Sequence, residues 1–220
     1  NNRGPLSNSA GPATTTALLP ISDLAAGTPT CSVVPLTWTA IDDGNIGQES
    51  SYDLRYSTSP ITEGNFASAT QVTGVPAPQP AGQAESFRVR GLLGSTPYYF
   101  AIKGIDAYGH ASPLSNIASA TTAVTPHVSD LAGTAGSNKV WLSWTAIDDG
   151  DVGKMSSYNL RYSTGPITDD ASFEAATAVA GVPAPQTAGS AESFVVTGLS
   201  SSTAYWFAIK ATDSFGHVCP

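Results

Sequence analysis

Trp38-Thr39-Ala40-Ile41-Asp42-Asp43-Gly44 returns, 106 residues later, as Trp144-Thr145-Ala146-Ile147-Asp148-Asp149-Gly150. Working outward from this stretch, Leu54-Arg55-Tyr56-Ser57-Thr58 returns as Leu160-Arg161-Tyr162-Ser163-Thr164. Gly74-Val75-Pro76-Ala77-Pro78-Gln79 returns as Gly181-Val182-Pro183-Ala184-Pro185-Gln186, now at an offset of 107. The extra residue lies in Asp169-Asp170-Ala171-Ser172, which is one longer than Glu63-Gly64-Asn65. A period of this length is a whole domain and not a solenoid unit.

Inside each period the apolar residues alternate. Val34, Leu36 and Trp38 are separated by Pro35 and Thr37, and Val140, Leu142 and Trp144 repeat the pattern. An alternation of two puts one set of side chains on one face of a strand. Tyr52, Leu54 and Tyr56 form the next run, Phe87 and Val89 another, and Tyr98, Phe100 and Ile102 a longer one. Asp43-Gly44, Ile46-Gly47 and Tyr108-Gly109 punctuate them as turns. No amphipathic helix is expected, because Ala67 and Ala175-Ala176 lie in segments that are short and rich in β-branched neighbours. About seven short strands per period predict an all-β chain of two β-sandwiches in tandem.

On these residues the chain resembles tandem fibronectin type III domains, immunoglobulin-like sandwiches of the kind found in secreted and surface bacterial proteins. The matching pieces are Val34 to Trp38 on strand B, Ser51 to Ser57 on strand C, Gly91 to Tyr98 leading into strand F, and Pro113-Leu114-Ser115-Asn116 opening strand G. The second period matches at Val140 to Trp144, Ser157 to Ser163 and Gly198 to Tyr205. The resemblance implies that Trp38 and Trp144 are core, and that Tyr98 and Tyr205 are tyrosine-corner residues whose hydroxyls hold the crossing between strands E and F. It divides the chain into an N-terminal arm (1–20), a first domain (21–126) and a second (127–220). It says little of function, since this fold hosts binding, spacing and structural roles alike.

The two ends of the chain match each other. Pro5-Leu6-Ser7-Asn8 copies Pro113-Leu114-Ser115-Asn116, while Pro220 aligns with Pro113. Residues 4–16 therefore read as a strand G, and the second domain is expected to lack its own. Unpaired strand edges and exposed core call for a partner. Three readings stand: the arm of one molecule completes the second domain of the next and builds a filament; the chain is a window onto a longer array; or the arm folds back within the molecule. The chain opens at Asn1 without an initiator Met and is read as a processed product or a fragment.

The chain has two cysteines. By the resemblance, Cys31 lies at the pole from which the first domain hands the chain on, and Cys219 at the pole where the second receives it. An intrachain bridge across the junction, a bridge between neighbouring molecules and two free thiols are the alternatives. Cys219 stands two residues from His217, but no nucleophile motif accompanies them.

Other candidates for chemistry are thin. Asp148, Asp149 and Asp151, and more weakly Asp42 and Asp43, are oxygen donors on Gly-containing loops that would suit Ca²⁺, although the spacing is not that of the twelve-residue calcium loop. Asp106 with His110 and Asp213 with His217 recur in each F–G hairpin, two ligands short of a zinc site; a neutral histidine beside the turn, hydrogen-bonded to the Asp, is favoured. Glu85 and Glu192 are expected at equivalent surface places with no cleft between them, which excludes a glycosidase pair. Arg55 and Arg161 are assigned to packing or a surface ion pair. Tyr99, Trp141 and Trp206 offer outward aromatics that would stack on sugar rings if they formed a line.

Composition bounds the function. Charged residues make up 12% and the formal net charge is -8, from 17 acidic and 9 basic residues. That sign repels a phosphate backbone, so nucleic acid is not an expected partner. No apolar run is long enough to span a bilayer. Few Lys and many Ser, Thr and Gly fit a secreted or surface protein. The expectation is a non-enzymatic extracellular array serving a fibre, adhesin or stalk, its partners being copies of itself or adjacent repeats. The alternatives are an accessory spacer or weak carbohydrate binder of a secreted polysaccharide-degrading enzyme, and a calcium-rigidified adhesive rod. No cofactor is expected.

Overall fold

The computed structural model describes residues 17–42 and 48–219. Pro5, Leu6, Ser7 and Asn8 of the arm, and Asp43 with Gly44, lie outside the described residues.

The alternating runs become strands, and their faces become two cores. In the first sandwich β1 (Ala25–Ala26), β2 (Val33–Thr39) and β5 (Ala84–Arg90) form a sheet in the order β1-β2-β5. The facing sheet runs β4-β3-β6-β7, from β3 (Ser51–Ser57), β4 (Thr70–Gln71), β6 (Pro97–Ile105) and β7 (Ala118–Thr121). All pairings are antiparallel. Val34, Leu36, Trp38, Leu54, Val89, Phe100 and Ile102 interleave between the sheets, all buried. Full burial of such side chains contributes about 1.5–3 kcal/mol each. Trp38 meets Tyr52 edge-on at 5.3 Å and 89°.

The second sandwich repeats this plan with β8 (Ala132–Ala135), β9 (Lys139–Thr145) and β12 (Ala191–Thr197) in one sheet. Its other sheet holds β10 (Ser157–Ser163), β11 (Thr177–Ala178), β13 (Trp206–Thr212) and β14 (Val218–Cys219), in the order β11-β10-β13-β14. Trp144 meets Tyr158 as Trp38 meets Tyr52, at 5.4 Å and 88°. Val218–Cys219 corresponds to Ala111–Ser112, just ahead of strand G, and pairs with β13, Cys219 opposite Ala211 and Val218 opposite Thr212.

One short helix interrupts the strands. Asp170–Ala175 forms a short helix, α1. Asp169 caps it by accepting the Ser172 N–H at 2.8 Å, while the Ser172 hydroxyl accepts the Asp169 N–H at 3.0 Å. The first period, one residue shorter here, makes only a 3₁₀ turn at Phe66–Ser68. The buried ring at the turn, Phe66 or Phe173, plugs the flank of the C-strand sheet. Arg55 holds it from strand C: its Nη1 donates to the Ala67 carbonyl at 2.8 Å and its guanidinium lies 5.1 Å from the Phe66 centroid. Arg161 does the same with Glu174 and Phe173, at 2.6 and 5.2 Å. Packing of a ring beneath an arginine, rather than intrinsic helix propensity, fixes these turns.

Three polar clasps tie the layers together, each present twice. Tyr98 Oη accepts the Leu93 N–H at 3.0 Å, and Tyr205 Oη accepts the Ser200 N–H at 3.1 Å, across the E–F crossing. Asp23 receives both the Thr39 N–H and its hydroxyl, as Asp130 does from Thr145. The bonds from the Thr145 hydroxyl and N–H hold the Asp130 carboxyl below its usual range. Glu85 and Glu192 are buried within β5 and β12 and not on the surface as expected. Glu85 accepts the Gln79 N–H at 2.5 Å and the Tyr52 hydroxyl at 3.3 Å; Glu192 accepts those of Gln186 and Tyr158 at 2.8 and 3.1 Å. The carboxylate thereby pins the Pro-rich loop Gly74–Gln79, or Gly181–Gln186, over the sandwich.

Burial, then the nearby Glu85 or Glu192, pushes the Tyr52 and Tyr158 phenols up to about 12. A folded-state pKa above the unfolded value stabilises the fold below about pH 10 and loses that contribution as pH rises towards 12. Melting temperature is therefore expected to fall steeply from about pH 10 upward, with tyrosinate absorbance rising together with unfolding. Full tyrosinate formation in a folded protein at pH 10 contradicts this.

Candidate functional site

The poles of the two sandwiches face each other across a junction. The first sandwich presents Thr30, Cys31 and Ser32, which lead into β2, and Arg88, Arg90 and Gly91 at the end of β5. The second presents the loop Asp148–Gly153 and the hairpin that carries Ser214, Phe215 and Cys219.

Asp149 is the keystone of that loop and is 1% exposed. Its Oδ1 accepts the N–H groups of Asp151, Val152 and Gly153 at 3.0, 2.8 and 3.0 Å, and its Oδ2 accepts the Ser214 hydroxyl at 3.3 Å. So shaped, the loop turns its Asp149 carbonyl towards the first sandwich, where it accepts from Cys31 Sγ at 3.2 Å and Ser32 Oγ at 3.0 Å. Asp151, whose side chain is 7% exposed, pairs with Arg90 at 3.0 Å and Arg88 at 3.6 Å. Both arginines are half-exposed, so solvent screens these pairs and they orient more than they stabilise.

Gly150 lets the surfaces approach. Its φ is +79°, and a Cβ there would stand 2.7 Å from Cys31 Sγ and 3.0 Å from Thr30 Oγ1. Phe215 lies over Gly91, 3.4 Å from where its Cβ would be. The connecting chain is pinned too, with the Ala123 N–H donating to Thr30 O and the Ser95 N–H to Ala123 O, both at 3.0 Å.

Cys31 and Cys219 are both buried at this junction and both carry free thiols. Burial, with the Asp213, Cys31 and Asp149 charges behind it, pushes the Cys219 thiol up to about 12. Burial also raises Cys31, against hydrogen bonding at Ser32.

The calcium candidates are otherwise engaged. Asp148 Oδ1 accepts the Gly150 N–H at 2.8 Å, Asp149 faces backbone N–H groups and Asp151 faces arginine. Among the described residues no group of three or more His, Cys, Asp and Glu could hold a metal ion. Asp106 and Asp213 bind the histidine four residues on, at 2.8 and 3.0 Å, and cap the hairpin N–H groups. The aromatics form no line: Trp141 in β9 and Trp206 in β13 belong to opposite sheets, and Tyr99 packs beside Phe66 and Leu114. Among the described residues no helix is long and apolar enough to cross a membrane.

The other open feature is the β13 edge. In the first sandwich β7 covers Pro97 to Phe100, and Asn116 clasps Leu24 by accepting its N–H at 2.9 Å and donating to its carbonyl at 2.8 Å. In the second, no strand among the described residues covers the equivalent run. Tyr205, Phe207 and Leu131 are only half-buried, where Tyr98, Phe100 and Leu24 are buried. A groove lined by Leu131, Val140, Leu142, Tyr205, Trp206 and Phe207 lies between the sheets.

The three-strand sheet facing a four-strand sheet, with the fourth strand beside C and a tyrosine across the E–F crossing, makes both units fibronectin type III-like β-sandwiches. No family model matches the chain. It is 30% identical to chitinase A1 of Niallia circulans over 198 residues, covering 86% of the chain and 22% of that protein. It is 28% identical to exoglucanase B of Cellulomonas fimi over 217 residues, covering 94% of the chain and 16% of that protein. The chain thus spans about a fifth of the length of these curated relatives. Among solved structures it is similar to a two-domain fibronectin type III segment of chicken tenascin, with TM-score 0.37 and 20% identity over 91% of this chain and 94% of that one. It is also similar to the FN1–FN3 domains of chicken CNTN1, with TM-score 0.34 and 18% identity over 93% of this chain and 66% of that one.

Proposed function

We propose that the chain is a non-catalytic structural repeat of an extracellular protein, a two-sandwich spacer whose junction fixes one module against the next, as a fibre, adhesin or stalk requires. The observation that carries this reading is the Asp149 loop, folded on its own carboxylate and bonded to Cys31 and Ser32 of the preceding sandwich. Among the described residues the carboxylates of Glu85, Glu192, Asp106 and Asp213 and the guanidinium groups of Arg55 and Arg161 are engaged in internal bonds. Small-angle X-ray scattering tests it. The profile is expected to fit a single arrangement of the two units, and Gly150→Val, which forces a side chain against Cys31 and Thr30, is expected to require an ensemble. A wild-type profile that already needs an ensemble contradicts the reading.

A second setting is favoured by the names of the curated relatives. Chitinase A1 and exoglucanase B are polysaccharide-degrading enzymes by name, and the chain matches a small part of each. The same spacer would there separate other domains of a secreted enzyme or bind carbohydrate weakly. Depletion by insoluble chitin and cellulose separates the two roles: retention marks a carbohydrate binder, and passage through both marks a spacer.

In either setting the open β13 edge is where the array would continue. A strand with the residues of 113–122 suits it, supplied by an adjacent repeat or, as residues 5–16, by another copy of the chain.

A further inference from the structure

We infer that Cys31 and Cys219 are partners in a disulfide that covalently fastens the first sandwich to the second. The inference rests on the junction described above and on the extracellular setting proposed for the chain.

The repeat supplies the argument. Thr30 and Gly136 occupy equivalent places, each donating its N–H back to a carbonyl at the start of strand B, Val33 O at 2.9 Å and Lys139 O at 2.7 Å. Cys31 therefore corresponds to Ser137. At the other end the Ser112 N–H bonds to Gly104 O at 2.8 Å, and Cys219 pairs with the corresponding Ala211. Cys219 therefore corresponds to Ser112. Each cysteine stands where the other period carries serine, and the two serines belong to the poles that do not meet. The chain's two cysteines are thus confined to the one junction at which those positions face each other.

The local structure agrees. Both sulfurs are buried beside the same loop, with Cys31 Sγ at 3.2 Å from the Asp149 carbonyl. The Asp149 carboxylate in turn receives Ser214 of the hairpin that ends at Cys219. Cys219 Sγ lies 4.0 Å from Met155 Sδ, at the place where Ser112 Oγ of the first unit accepts the Gly104 N–H at 3.0 Å.

The step is a thiol–disulfide exchange. One cysteine, as thiolate, attacks an external small-molecule disulfide and releases one thiol. The second cysteine, as thiolate, attacks the mixed disulfide, forms Cys31–Cys219 and releases the second thiol. The chain loses two protons and two electrons, and the external disulfide gains them. Both protein thiols are buried and held protonated, so closure is expected to be slow at neutral pH and faster in mild alkali.

The test is oxidised glutathione added to the full 220-residue chain, followed by mass spectrometry of the intact chain and its peptides. The expected result is a monomer two hydrogens lighter, a linked Cys31–Cys219 peptide, and a melting temperature that dithiothreitol lowers again. Cys31→Ser and Cys219→Ser should each abolish the reversible shift. Persistent free thiols, or linkage only between chains, overturn the disulfide. Dibromobimane, which bridges adjacent thiols, separates the causes of failure. If it joins Cys31 to Cys219 when glutathione does not, the bond is overturned but the junction stands. If neither joins them, the junction reading falls with the disulfide.

Discussion

Trp144→Ala is expected to unfold the second sandwich selectively, lowering its melting transition by roughly 15 °C or more. Trp144 is 3% exposed, sits between the sheets beside Leu142 and Leu160, and meets Tyr158 edge-on. Truncating a buried Trp to Ala typically costs about 3–5 kcal/mol through lost burial and the cavity left behind. For a domain of this size each kcal/mol moves the midpoint by roughly 4–8 °C. The second core is also the looser one along the open β13 edge, so little surplus remains there to absorb the loss. Differential scanning calorimetry should show the first sandwich melting within a few degrees of its wild-type midpoint and the second well below. A second transition lowered by less than about 1 kcal/mol would mean that Trp144 is not core.

The opposite sign is expected when the second sandwich is given a strand. Extending the chain after Pro220 with Leu-Ser-Asn-Ile-Ala-Ser-Ala-Thr-Thr, the sequence of residues 114–122, should raise its stability by about 2–4 kcal/mol. In the first unit Leu114 packs with Ile61, Phe66 and Ala101, Ser115 Oγ accepts the Ile102 N–H at 3.0 Å, and Asn116 clasps Leu24. The corresponding places in the second unit are Ile167, Phe173, Ala208, Ile209 and Leu131. Replacing the added Leu and Asn by Ala should remove most of the gain, which distinguishes a docked strand from a passive tail. A free peptide of residues 4–16 should compete for the same edge in the chain without the extension. An unchanged melting temperature would show that the groove does not take a strand.

The fold was legible because its signal is local and doubled. Alternation at Val34-Leu36-Trp38 and Tyr52-Leu54-Tyr56 marks buried faces, and a second copy of each removes chance as the cause. The short helix was not legible: Ala171, Phe173 and Ala175 carry no periodic stripe, and the element exists because Asp169 caps it and Phe173 is held beneath Arg161. Glu85 and Glu192 were read as surface carboxylates because a charge in a strand says nothing of what covers it. The cover is the Pro-rich loop, whose Gln79 or Gln186 N–H arrives from six residues upstream. At the junction the cysteines drew notice as the chain's two sulfhydryls. Arg90, Ser32 and Phe215 did not, since ordinary side chains acquire a role there only through the facing surface. Comparing the two periods would have found them, because Arg88 and Arg90 become Val195 and Thr197 in the second copy.

The central claim is that the two sandwiches are held as one unit by the Asp149 loop. Residual dipolar couplings of backbone amides, measured separately for residues 21–121 and 128–219, test it most directly. A single alignment tensor is expected for both sets, separating into two when Asp151→Ala and Gly150→Val are combined. Two different tensors in the wild-type chain would contradict it.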